Sequence, residues 1–411
     1  MNIYLLLILI ILLGNYILNL VIELLNAASA KGKLPAEFQG WYDSQKYKKS
    51  QDYLKENTHF KIIQATIMLL VVLFLILSGG FNFIDKLARG FGLAPIPTGL
   101  VFAGVLFFGL QLIEIPFSLY HTFVIEEKYG FNRTAPKTFI LDILKGWLLA
   151  LIIGGVVFAA IIWFFTKTGS WAWVWCWIAV TLFEVFLIFI APVVIMPLFN
   201  KFIPLPEGEL KQAIQDYAKS QGFALKGVFK MDGSRRSTKA NAFFTGFGKY
   251  RRIVLFDTLI EKQTQEELVS VLAHEVGHYK RKHIFKHMLI ATVSNGLTFF
   301  ILSLFINNPG LFAAFRMENL SIYASLIFFS FLYTPIAMIF SIFLNFVSRR
   351  HEYEADSYAV HSYNRPEAFV FALKKLTVDN LSNLTPHPLK VFFHYSHPPV
   401  LQRIKAIKKL P

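Results

Sequence analysis

Apolar residues fall in seven long blocks, at roughly 3–23, 62–80, 98–120, 146–166, 173–197, 287–306 and 321–347. Each is long enough to cross about 30 Å of hydrocarbon as a helix. Two polar stretches, 198–286 and 347–411, are long enough to fold, and they flank the last two blocks, so they must meet at one end of a helical bundle. The pattern divides the chain into five spans with their loops (1–197), a polar segment (198–286), two more spans (287–347) and a C-terminal polar segment (348–411). Ala28-Ser29-Ala30 would suit leader cleavage after the first block. Yet Met1 to Leu5 carry no Lys or Arg and the apolar run is too long for a leader, so the block reads as an uncleaved span.

Composition agrees. The 411 residues are 55% hydrophobic and 16% charged, against about 25% charged in soluble domains. This excludes a disordered chain, a collagen-like fibre and an ordinary cytosolic enzyme. The net charge of +15 is unevenly placed: segments 24–61, 121–145, 198–286 and 347–411 hold seven, four, sixteen and ten Lys or Arg. The opposite side holds only Lys86, Arg89, Lys167 and Arg316. The positive-inside rule then puts the N-terminus outside and the C-terminus in the cytoplasm. The basic excess therefore reports topology and contact with anionic membrane lipid, not nucleic acid. Cys176 is the single cysteine. A metal site in this chain must draw on His, Asp or Glu.

Candidate chemistry begins at His274-Glu275-Val276-Gly277-His278, an H-E-x-x-H inside a helical pattern from Glu266 to His287. Residues four apart on a helix stand one above the other, so two imidazoles reach one cation while Glu275 sits over the open position. A third ligand is needed. Arg349 to Asp356 offers Glu352 to complete a His, His, Glu set, with Asp356 on the same face to hydrogen-bond a ligand imidazole. The alternative is an interfacial salt-bridge cluster with the neighbouring arginines. Glu354 is out of phase with that face and reads as surface charge. His283 and His287, four apart with no evident acidic partner, read as interfacial or solvated. Glu114 and Glu184 lie inside spans and should face an interior space or pair.

These residues resemble the type I CAAX prenyl endopeptidases, integral membrane zinc metalloproteases. The resemblance extends through Glu126–Asn132, Pro197–Phe202, Asn241–Phe247 and Ser396–Pro399, in the family's order and over nearly the whole chain. It implies an all-α polytopic fold, with seven transmembrane helices around a chamber and a gluzincin-like zinc site capping it on the cytoplasmic side. It implies one Zn2+ per chain on His274, His278 and Glu352, and Glu275 as general base. It implies an edge strand at Asn241, Ala242 and Phe243 that binds the substrate backbone, and His397, assisted by Arg403, stabilising the oxyanion. The run Arg252–Phe256 is strand-like and expected to pair with an extended peptide.

The implied activity is removal of the aaX tripeptide from prenylated Cys-a-a-X proteins or peptides. Two alternatives are a general membrane quality-control metalloprotease and a non-catalytic scaffold or transport protein with a structural metal. The short 307–320 loop favours a bacterial inner membrane, while Lys408-Lys409-Leu410-Pro411 fits an endoplasmic-reticulum retrieval tail.

Overall fold

The computed structural model describes residues 2–30, 33–223, 225–245 and 252–411. Seven helices are long and apolar enough to cross a membrane: Ile3–Ala28, Ser44–Ser78, Pro95–Glu126, Pro136–Lys167, Gly169–Phe199, His283–Ser303 and Ile322–Tyr363. They match the seven blocks in number and order, and several are longer. The second span starts at Ser44, capped by the Asp43 side chain on the Lys46 amide at 2.6 Å, because no breaker separates its polar first turns from its apolar part. The seventh runs 42 residues to Tyr363 and stops only where Asn364 turns left-handed ahead of Arg365-Pro366. Within the apolar windows only 0–11% of residues are buried. Few span residues are fully covered by neighbouring helices, so the seven helices stand around a chamber and pack closely only in local clusters.

A small cluster of Cys176, Phe299, Leu302 and Phe329 packs between spans, and two larger cores close the ends. One joins Ile76, Phe81, Ala88, Leu311, Phe312 and Phe315, from the loops and span ends on the sparsely charged side. The other draws on all four basic segments, including Phe38, Phe131, Leu255, Leu272 and Ile404. The charge bias therefore sorts the chain into two ends as the fold does.

Among the described residues, the basic end holds a β-sheet beside its helices. A four-stranded mixed sheet runs in the order β1 (Phe202–Pro204), β2 (Gly227–Met231), β4 (Arg252–Phe256), β3 (Ala242–Thr245). β2 and β4 are parallel, and the outer pairs are antiparallel. Arg252–Phe256 is consequently an interior strand, hydrogen-bonded on both sides, and cannot take up a peptide as the sequence suggested. The outer strands are β1 and β3, and β3 is the edge that lies beside the motif helix. Residues Gly246 and Phe247 of the resembling segment lie outside the described residues.

Candidate active site

The H-E-x-x-H motif occupies the helix Gln265–Lys280. Thr264 and Glu267 close its N-terminus reciprocally, Thr264 Oγ1 accepting from the Glu267 amide at 3.3 Å and Glu267 Oε2 from the Thr264 amide at 2.8 Å. Ten of its residues, Glu267–His274 with Val276 and Gly277, are buried, so the helix is the centre of the cap. It crosses the last turns of the seventh span at Gly277. A Cβ there would stand 3.1 Å from the Ala355 Cα, the Ala355 carbonyl oxygen and the Tyr358 Cβ. The glycine permits an approach that brings both histidines to Glu352.

His274 Nε2 and His278 Nε2 are 3.1 Å apart, and they lie 3.4 Å and 3.2 Å from the two carboxylate oxygens of Glu352. Tetrahedral donors at about 2.0–2.1 Å from a common ion are separated by about 3.3 Å. Glu352 Oε2 is buried without a hydrogen-bond partner, with a long ion pair to Arg403 Nη1 at 3.5 Å beside it, an arrangement that a closer cation would relieve. The donor chemistry and this oxygen both fit a divalent metal, and these three residues could hold one.

The surrounding residues hold the donors. Asp356 Oδ1 lies 2.8 Å from His274 Nδ1, which leaves Nε2 as the free nitrogen. Burial disfavours charge on His274, but hydrogen bonds with the Asp356 and Glu352 carboxylates outweigh it and raise its pKa to about 9. Arg403 places Nε 2.9 Å and Nη2 2.6 Å from the Asp356 oxygens, with Nη1 3.5 Å from Glu352. Two of its donors are thus committed to Asp356. Glu275 sits beside the donors, and burial pushes its carboxyl above the ordinary value against the pull of His274 and His278. His397 reaches the group from the opposite wall, Nε2 3.4 Å from Glu352 Oε1 with its side chain 64% exposed. Asn241 is exposed at the head of β3 and bonds its own strand, Oδ1 accepting from the Ala242 amide at 2.9 Å. β3 lies alongside the motif helix, with Ala242 and Phe243 both half-buried.

The other resembling segments converge on the chain leading into β3. Glu126 takes hydrogen bonds from Tyr53 Oη and from Lys239 Nζ, the latter at 2.7 Å. Arg236 bonds Asp142 at 2.8 and 2.9 Å, Asn200 at 2.9 Å and the Phe199 carbonyl at 2.7 Å. Residues 236–240 are therefore fixed to the ends of three spans before β3 begins.

Comparison with known proteins shows the family. Residues 204–411 match the family model of Peptidase family M48, and residues 23–201 match CAAX prenyl protease N-terminal, five membrane helices. The chain belongs to peptidase family M48. It is 36% identical over 91% of its length to the Arabidopsis thaliana CAAX prenyl protease 1 homolog, of which 90% is covered. It is 32% identical to the Saccharomyces cerevisiae CAAX prenyl protease 1, covering 91% of this chain and 88% of that protein. The crystal structure of S. mikatae Ste24p superposes with a TM-score of 0.93 at 30% identity, over 98% of this chain and 99% of that one. This M48 peptidase is an integral, multi-pass membrane metalloendopeptidase, which sets aside the scaffold reading.

Sequence reasoning missed part of the site. His283 is not interfacial: it is 1% exposed, and Glu354 is its acidic partner at 3.1 Å. Glu354 is out of phase with Glu352 but faces the start of the sixth span, which only tertiary contact reveals. His351 stacks on His283 with ring centroids 3.9 Å apart and bonds His287 at 3.1 Å. In the spans, Glu114 accepts from Gln64 at 2.6 Å and Glu184 from Asn295 at 2.8 Å, so both carboxyls pair across helices.

Proposed function

We propose that this M48 peptidase is a zinc-dependent endopeptidase that cleaves a prenylated Cys-a-a-X chain after the cysteine, releasing the aaX tripeptide. The observation that carries the reading is the donor triangle of His274, His278 and Glu352 with Glu275 beside it, in a chain alike end to end to proteins named CAAX prenyl protease 1.

His274, His278 and Glu352 would hold the zinc. When bound, the ion supplies Lewis acidity that makes a water a nucleophile near neutral pH and polarises the scissile carbonyl. The peptide lies extended along β3, adding a strand to the free edge with Asn241 next to the scissile bond. Glu275, its pKa raised by burial, takes a proton from the attacking water and delivers it to the leaving nitrogen as the C–N bond breaks. The products are a carboxylate on the prenylated cysteine and a free amine on the tripeptide. Ser396 Oγ lies 2.9 Å from His397 Nδ1. A hydroxyl donated there leaves the proton on Nε2, which is aimed at the site and donates to the oxyanion. Arg403 acts one layer back, steadying Asp356 and Glu352. The basic bias puts this end in the cytoplasm.

The test is mass spectrometry of purified protein incubated with a farnesylated and an unfarnesylated Cys-a-a-X peptide, with Glu275→Gln as control. Loss of the tripeptide from the farnesylated peptide alone, absent in the variant, is expected. Equal cleavage of both peptides would discard prenyl selectivity. Cleavage by Glu275→Gln at the parent rate would discard the mechanism.

A further inference from the structure

We propose that Glu354 and His283 form a hydrogen-bonded relay that positions the metal ligand His278, joining the motif helix to the sixth and seventh spans. The proposal rests on His278 being a ligand.

The geometry is a chain of three groups. His278 Nδ1 lies 3.0 Å from His283 Nδ1, and His283 Nε2 lies 3.1 Å from Glu354 Oε2. Only one proton arrangement suits a ligand at His278. Its Nε2 must present a lone pair, so its proton is on Nδ1 and is donated to His283 Nδ1. His283 then carries its proton on Nε2 and donates it to the Glu354 carboxylate. Each link has one donor and one acceptor.

The fold builds this chain deliberately. The motif helix ends at Lys280, and Lys282 turns left-handed with φ 57°. That turn swings His283, the first residue of the sixth span, back toward His278. His283 is held flat against His351, the rings 11° from parallel. Glu354 is held by Arg350 at 3.3 Å and Lys286 at 3.8 Å. The two imidazole ligands are thus supported in parallel: His274 by Asp356 directly, His278 by Glu354 through an intervening imidazole. Such support fixes the ring and strengthens the donor nitrogen, and its loss weakens metal binding about 10–100-fold.

The experiment is a Zn2+ competition titration against a chromophoric chelator on purified, metal-stripped protein. His283→Phe keeps a ring against His351 and removes both nitrogens. Glu354→Leu removes the acceptor, and Glu354→Gln keeps an acceptor without charge. Expected are affinities lowered about 10–100-fold for His283→Phe and Glu354→Leu, and a smaller loss for Glu354→Gln. The double variant His283→Phe with Glu354→Leu should be no weaker than His283→Phe alone, since both cut one chain. Lys86→Ala, which breaks only an exposed ion pair with Glu318 at the opposite end of the molecule, should keep the parent affinity.

A role confined to packing would lower the melting temperature of the metal-free protein and leave Zn2+ affinity within twofold, and that result overturns the relay. Additive losses in the double variant overturn it as well. If His283→Phe does not fold, unchanged affinity in the near-isosteric Glu354→Gln overturns it alone. His278→Ala separates the two readings. Full retention of Zn2+ by that variant would overturn the ligand assignment, whereas loss of Zn2+ there with parent affinity in His283→Phe overturns only the relay.

Discussion

Replacing Gly277 by alanine tests whether helix approach sets the metal site. The new methyl group would lie 3.1 Å from the Ala355 Cα and the Tyr358 Cβ, where carbon atoms prefer about 3.5–4.0 Å. The motif helix and the seventh span must therefore separate by roughly 0.4–0.9 Å. Two effects on the fold oppose each other. Alanine gains about 0.8–1.0 kcal/mol of helix propensity over glycine, and overpacking costs about 1–3 kcal/mol. The net loss is about 0–2 kcal/mol, small enough for the protein to remain folded. The metal is less forgiving, because donor distances hold within about 0.2 Å. Ala355 adjoins Asp356 and stands three residues from Glu352, so both carboxylates move with it. Gly277→Ala is expected to lower Zn2+ affinity at least about tenfold, with a modest fall in the melting temperature of the metal-free form. Chelator competition and thermal unfolding read the two quantities separately. Parent Zn2+ affinity and parent peptide turnover in this variant would refute the argument.

Glu275→Gln should keep a full equivalent of metal and lose turnover by a factor of at least about 100, whereas His274→Ala should lose the metal. Equal metal loss in both variants would contradict the division of roles. Metal binding should depend on pH with a definite sign: His274 holds a proton up to about 9 in the metal-free protein, so Zn2+ displaces it and apparent affinity rises as pH approaches 9. The same raised value stabilises the metal-free fold fully below about 6.5, the ordinary histidine value, and that stability is lost as pH rises through about 9. Melting curves between these limits should show the fall without metal and not with it. Thr264→Ala removes one arm of the capping box and should cost about 1 kcal/mol in denaturant unfolding.

Much of the fold was legible because lipid imposes a simple rule on sequence. Seven apolar blocks and an alternating charge bias located seven helices and their two ends. The grouping of His274, His278 and Glu352 was legible because four-residue spacing on a helix is local and the chemistry sought is narrow. The helix of Glu352 was harder to read. Its polar turns after 347 looked like a separate element, yet nothing between Phe346 and Tyr363 breaks a helix. The strands were the weakest reading. Ile253-Val254-Leu255 is apolar because it is covered on both sides, and an apolar run does not say whether its neighbour is a strand or a substrate. His283 and Glu354 were opaque for another reason: they meet only because Lys282 reverses the chain, and no periodicity encodes such a turn.

The unbroken last helix is also a measuring rod. At 1.5 Å per residue its 42 residues extend about 63 Å, twice the thickness of the hydrocarbon it crosses. Its single proline, Pro335, lies within the apolar half, and from there to Glu352 the rod runs about 25 Å without another. The height of the donor triangle above the lipid is therefore set by one rigid piece anchored in the bilayer. Distance from the membrane plane would then act on which bond is cleaved, together with the side chains around it. A substrate held in the membrane by one end would present the same few residues to the site every time.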